Sequence, residues 1–358
     1  WQAPVTGVHI GGTQYTFTFD NVATVGQTVE YYIVAQDLAT IPNVGSSPDG
    51  GAGFTNTPPA AATAPTTLFS YIVVANLPPG TYTVGTGAYD FPTITAAVNA
   101  YNTSCLSGPV VFNLMDLTSS VAEVYPITIN ANAFASAVNT LTIKPNSAGT
   151  SISAANGTAL FKLNGADYII FDGSRNGTNS RDLTINNTNA GTSATVMWIA
   201  SSSASNGATN NTIKNCILAG SQSSTSIACI IAGSGATLGN AAQAANSNNT
   251  ITNNILRAAQ NGVFISGVTT GFDQNWLINN NVVGSTGVPN DKMGFRGMSV
   301  QGVQNFTISG NTIQGVISPT TSTSTATGIS VFSNSSNGNI YNNQISDIKH
   351  LNTVGWGS

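Results

Sequence analysis

Between Asn210 and Ile345 the chain repeats one short pattern five times: a polar pair, an alternating strand around a central isoleucine, an Asn-rich corner and an aliphatic residue. The copies are Asn211-Thr212-Ile213-Lys214-Asn215-Cys216-Ile217, Asn249-Thr250-Ile251-Thr252-Asn253-Asn254-Ile255, Trp276-Leu277-Ile278-Asn279-Asn280-Asn281-Val282, Phe306-Thr307-Ile308-Ser309-Gly310-Asn311-Thr312-Ile313 and Gly338-Asn339-Ile340-Tyr341-Asn342-Asn343-Gln344-Ile345. Aligned on Ile213, Ile251, Ile278, Ile308 and Ile340, they lie 38, 27, 30 and 32 residues apart. Units of this length form solenoids, in which each unit buries its apolar face only against its neighbours.

Within a unit the apolar residues alternate with period two and helical periodicity is absent, so the unit is built on short strands. Asn-Asn or Gly-Asn closes each strand, and both residue types tolerate the left-handed backbone of a sharp corner. If each repeat is one coil, equivalent corners stack about 4.8 Å apart. The amides of Asn254, Asn281, Asn311 and Asn343 then form a ladder bonded up and down the stack, which Cys216, at the same register, interrupts. Uneven repeats rule out short hexapeptide helices and suit a right-handed parallel β-helix whose coils differ in loop length, its hand set by the crossover rule.

Earlier strands at Pro109–Leu114, Pro126–Ile129, Leu141–Pro145, Leu160–Leu163, Tyr168–Phe171 and Leu183–Asn187 extend the stack toward the N-terminus. Partner strands at Val196–Ile199, Cys229–Ile231, Gly262–Ile265, Gly297–Val300 and Gly328–Val331 give each coil at least two strands, and residues 79–358 about seven coils. Just before them, Ile94, Ala97, Val98 and Tyr101 fall at i, i+3, i+4 and i+7, with Asp90 and Pro92 as start signals. This predicts one amphipathic helix over 91–102, placed to cap the apolar end of the solenoid.

Residues 1–78 read differently. Gln14–Phe19, Thr28–Ala35 and Tyr71–Val74 alternate as strands without a helix. They fit part of an immunoglobulin-like or fibronectin III-like β-sandwich, which needs about seven strands over roughly 100 residues. The expectation is a sandwich whose earlier strands precede Trp1, in a polypeptide continuing beyond both ends.

Only 6% of the residues are charged, against roughly 25% in ordinary soluble domains. A net charge of −4 with nine unclustered Lys and Arg offers no footprint for nucleic acid, and no apolar run approaches the roughly 18 residues of a membrane span. Cys105, Cys216 and Cys229 read as small buried hydrophobes, with a Cys216–Cys229 bridge as the alternative.

Glycoside hydrolysis needs paired carboxylates, and lyase chemistry needs a base and a neutralised uronate, commonly through Ca²⁺. The clear repeats hold only Asp273, Asp291 and Asp347 as acids. The best constellation is Asp291-Lys292-Met293-Gly294-Phe295-Arg296 with Asp273 half a coil earlier, weighed against a plain Asp291–Arg296 loop salt bridge. A second group, Asp167, Asp172, Arg175, Arg181 and Asp182, surrounds Gly-rich turns and reads as turn chemistry. His9 and His350 have no Ser or Cys nucleophile context. Of the aromatic residues able to stack on sugars, Trp198 lies in an apolar strand and Trp356 near the C-terminus, while Trp276 replaces the equivalent of Asn249 and can face outward or inward. The candidate binding residues are thus Trp276, Asp273, Asp291, Phe295 and Arg296. No metal ligand set is legible and no cofactor is expected, Ca²⁺ being left open by the sequence.

Val29–Asp37, Tyr82-Thr83-Val84-Gly85, Leu163–Tyr168, Asn210–Cys216 and Gly355-Trp356-Gly357 together resemble the β-helix segments of large multidomain proteins that Bacteroidota export by type IX secretion. The resemblance implies an extracellular or cell-surface, adhesin-like protein. Its partners would be neighbouring domains of the same polypeptide, the secretion machinery, and polysaccharide or cell-surface glycan. A non-catalytic stalk or glycan-binding segment is the leading expectation; a polysaccharide lyase or glycoside hydrolase of the pectate-lyase-like class is the alternative. The polygalacturonase-like and lyase-like catalytic motifs are absent from the sequence.

Overall fold

The computed structural model describes residues 3–19, 23–56, 58–318 and 325–351; Trp356 lies outside them. The chain divides into two compact units, Trp1–Ala75 and Asn76–Ser358.

The second unit is a parallel β-helix. Nine strands stack in parallel on its first face: Gly80–Val84, Val110–Leu114, Leu141–Pro145, Ile169–Asp172, Thr212–Lys214, Thr250–Thr252, Leu277–Asn279, Thr307–Ser309 and Asn339–Tyr341. Eight turns connect them, one more than the repeat count suggests. The register pairs Ile213 with Ile251, Ile251 with Ile278, Ile278 with Ile308 and Ile308 with Ile340. The first four of these isoleucines are fully buried, and Ile340 in the last described coil is 45% exposed.

The central coils have three strands each, within the expectation of at least two. In one coil, Thr250–Thr252 turns at Asn253 into Ile255–Arg257, then at Ala258 into Ala259–Ser266, and returns through Asp273-Gln274 and Asn275 to Leu277–Asn279. All three corner residues have positive φ, between 53° and 59°. The same left-handed corners recur at Asn210, Asn248, Asn305 and Asn337 before first-face strands, and at Asn215, Asn280, Gly310 and Asn342 after them. Asparagine is enriched in this conformation because its short polar side chain bonds locally.

Immediately after the exit corners the second asparagine of each pair turns inward. Asn254 Nδ2 donates to Asn281 Oδ1 at 3.1 Å, Asn281 to Asn311 at 3.0 Å, and Asn311 to Asn343 at 2.9 Å. Each amide also donates to a carbonyl one coil back, and each Oδ1 accepts a backbone N–H from the preceding coil. Cys216 ends the ladder: its backbone N–H donates to Asn254 Oδ1 at 2.9 Å, while its side chain offers no amide.

The helix spans Ile94–Thr103 and buries Ile94, Ala97, Val98 and Tyr101. Its cap is Thr93, whose hydroxyl accepts from Ala96 N at 3.0 Å; Asp90 instead binds the Thr83 amide and hydroxyl, both at 2.7 Å. Glu123 completes the first turn by accepting from Ile94 N (2.6 Å) and Thr95 N (2.7 Å), a favourable place for a negative charge. The last turn meets the free edge of strand Ile127–Asn130. There Asn102 Nδ2 donates to Thr128 O at 2.8 Å, and its Oδ1 accepts from Asn130 N at 2.9 Å. One side-chain amide thus stands in for the peptide of a missing neighbour strand.

In the first unit the expected strands appear as Gln14–Thr16, Thr28–Tyr31, Ile33–Gln36 and Phe69–Ile72. They join Val8–Gly11, Val44–Ser47, Ala52–Asn56 and Pro59–Thr63 in four separate antiparallel pairs. Among the described residues no larger sheet forms, and Val8, Ile10, Tyr15, Tyr71 and Ile72 stay exposed because no second layer covers them.

Candidate functional site

The carboxylates of the β-helix decide what chemistry its wall can do. Asp167 accepts from Thr209 N and Oγ1, at 2.6 and 2.7 Å. Asp172 pairs with Lys214 Nζ at 3.1 Å on the neighbouring coil, and its other oxygen accepts from Asn215 Nδ2 at 2.7 Å. Asp182 accepts from the Ser180 hydroxyl at 2.7 Å and from Arg175 N at 3.1 Å, which hold its pKa below the ordinary range. Loop 173–182 is strapped across the corner column by Arg181 Nε, which donates to Asn253 O at 2.7 Å. Asp116 takes Thr86 N at 2.8 Å, and Asp347 is ion-paired with Lys349.

The Asp291-to-Arg296 stretch differs from the sequence expectation. Asp291 pairs with Arg257 of the preceding coil at 3.1 Å, not with Arg296. Arg296 lies in the extended strand Met293–Gln301, opposite Asn261 and Thr327, and its guanidinium sits over the Phe332 ring at 5.2 Å. Extended backbone carries Arg296 away from Asp291, whereas stacking brings Arg257 within reach. Phe295, next to Arg296, is half-buried.

Trp276 and Asp273 are likewise corrected as surface binding residues: they are 1% and 0% exposed. The Asn249 that Trp276 replaces faces inward itself. Asn249 Oδ1 accepts from Asn211 N at 2.9 Å, and its amide donates to Ala208 O at 2.9 Å. The indole therefore inherits a core position, followed by Phe306 one coil on, with Gly338 after it leaving room for the Phe306 ring. Trp198 is also covered, its indole donating to Ser234 O at 3.1 Å beneath Lys162.

One contact was not expected. Ser318 Oγ lies 2.7 Å from His350 Nδ1 on paired strands. The sequence carried the signal, since both residues stand five places after the aligned Ile313 and Ile345. Ser318 is fully buried. The cysteines are free thiols, and burial pushes Cys216 and Cys229 up to about 12. Among the described residues no three His, Cys, Asp or Glu side chains gather as a metal site, and no helix is long and apolar enough to cross a membrane. The loop 172–182 is rich in side-chain oxygens, but Lys214 neutralises Asp172 and Arg175 neutralises Asp182, a poor fit for Ca²⁺.

No model of a known protein family and no curated protein matches the chain. Two solved structures of the pectin methylesterase from Aspergillus niger match. The deglycosylated form has a TM-score of 0.33 at 12% identity, covering 74% of this chain and 91% of that one. The penultimately deglycosylated form has a TM-score of 0.32 at the same identity and coverage. At these values the likeness carries no family or activity to this chain.

Proposed function

We propose that the chain is a rigid, non-catalytic segment of a secreted or cell-surface adhesin-like protein, with a right-handed β-helix closed at its N-terminal end by the 94–103 helix. The carrying observation is the commitment of every carboxylate from Asp90 to Asp347 to a partner within its own wall or to the interior. Glycoside hydrolysis requires two carboxyl groups aimed at one substrate, and here each is bonded to its own coil or a neighbouring one. Glycan contact then falls to the outward faces and loops, where Phe332 and Arg296 offer a ring and a guanidinium. The sparse charge suits neutral polysaccharide. Binding to a glycan array, reduced by Phe332→Ala with the fold intact, tests the reading. Absence of any glycan or cell-surface binding, combined with turnover of a polysaccharide, would overturn it.

The Ser318–His350 contact favours a second reading, an esterase or other hydrolase on the same scaffold, because a serine beside an imidazole is the pairing of nucleophilic catalysis. Burial of Ser318 opposes it. Assays on acylated and methylated polysaccharides, and lyase absorbance at 235 nm on uronates, with Ser318→Ala as control, separate the two.

A further inference from the structure

Asp273 occupies a slot built for asparagine. One coil earlier the equivalent residue is Asn246, which lies three places before Asn249 just as Asp273 lies three before Trp276. Asn246 Oδ1 accepts the Ala208 amide at 2.8 Å, and its Nδ2 donates to Gly233 O at 3.1 Å. Asp273 repeats the first half: its Oδ1 accepts the Asn246 amide at 3.1 Å and the Val268 amide at 3.3 Å. It cannot repeat the second half as an anion. The Ser266 carbonyl, next along the paired strand, accepts the Ala242 amide at 2.9 Å, and Asp273 Oδ2, fully buried, has no hydrogen-bond partner among the described residues.

An ionised carboxylate here would hold a charge in a dry wall with one oxygen unbonded, whereas a protonated one carries no charge and, like the asparagine amide, has a hydrogen to donate. The surroundings offer no compensating charge. The groups facing the carboxyl are the Asn246 and Val268 amides, the Trp276 indole, whose N–H favours the ionised form from nearby without reaching hydrogen-bond geometry, and Gly267, packed so closely that a Cβ would sit 2.9 Å from Asp273 Cγ. Val303 in the next coil is apolar and buried, and no cation or further acid faces the site from either neighbouring coil among the described residues.

We propose that Asp273 is a proton-binding site that locks its coil: protonated, it acts as the missing asparagine and holds loop 267–273 against the strand Ala259–Ser266; ionised, it releases that loop to reach water. Burial, the largest cause, pushes the Asp273 carboxyl from 3.8 up to about 7, against smaller opposing effects of the two amides and the indole. A group that binds its proton more tightly when folded stabilises the fold fully below its unfolded pKa, here about 4, and that contribution is lost as pH rises through about 7. The neutral range is therefore where the lock opens.

The test compares wild type with Asp273→Asn from pH 4.5 to 8.5. Wild type should lose at least tenfold, and up to about 250-fold, in its folding equilibrium across this range relative to the variant, which should be the more stable of the two at pH 8.5. Amide exchange of the wild type, corrected for intrinsic rate, should show Asn246 and Val268 losing protection between pH 5.5 and 8, a readout that holds if the variant fails to fold. Parallel pH profiles for the two proteins, or wild-type protection at Val268 that does not change with pH, would overturn the proposal.

Discussion

Asn281→Ala should be among the most damaging single substitutions in the solenoid, and Asn343→Ala among the mildest of the same chemical kind. Asn281 is 1% exposed and sits mid-ladder. Its removal abolishes four hydrogen bonds: those from Asn254 N and Asn254 Nδ2 to its Oδ1, and those from its Nδ2 to Ile251 O and Asn311 Oδ1. At about 1 kcal/mol net for each bond, with the Asn254 backbone N–H left buried and unpaired at about 1–3 kcal/mol, part of which overlaps the first figure, the loss is about 4 kcal/mol. Asn343 is half-buried in the last described coil, so water can take over its bonds to Asn311 and Ile308 and the loss is about 1 kcal/mol. Urea unfolding followed by circular dichroism, with both variants fitted at the wild-type slope, measures the gap directly. Equal losses, within about 0.5 kcal/mol, would show that the ladder is a by-product of stacking and not a contributor to it.

Gly284 combines φ of +73° with a space that a Cβ would enter 2.0 Å from Gln314 O, so Gly284→Ala strains its own backbone and pushes on the next coil. A loss of at least about 3 kcal/mol is expected, and a thermal midpoint within a degree of wild type would refute the close approach. Asn102→Ala leaves the Thr128 carbonyl and Asn130 amide of an edge strand unpaired, which should make the protein self-associate through that edge. Light scattering against concentration measures it, and a monomeric variant would show that the helix alone blocks the edge.

The repeat register was readable because two signals coincide at each corner: alternation with period two, and an asparagine pair whose first member turns the chain while its second fills the ladder. The third strand of each coil was not readable, since Ile255–Arg257 and Val282-Val283 are too short to show any period. The helix was legible from four residues, but its start was not: Thr93 outcompeted Asp90 because the Asp90 carboxylate is taken by Thr83. The sequence left Trp276 open between outward and inward, because the Asn249 it replaces, a buried amide bonded to Asn211 and Ala208, is as polar in sequence as a surface residue.

The site residues show the same cause at work more sharply. In a solenoid the partner of a side chain is commonly one repeat away, not one turn of sequence away. Asp291 finds Arg257 34 residues earlier, Asp172 finds Lys214 42 residues later, and Ser318 finds His350 32 residues later. Because the repeats are uneven, these separations look unrelated until the chain is wrapped on its isoleucines; afterwards each contact follows from strand register. The carboxylates that reading by neighbours assembles into a cluster are thereby dispersed up the wall: Asp172 and Asp291 are neutralised from a neighbouring coil, and Asp182 by Arg175 of its own loop. Asp273 is the exception that wrapping also exposes, an acid in an amide's column with no opposite charge one repeat away among the described residues, so its ionisation is one the stacking itself would have to absorb.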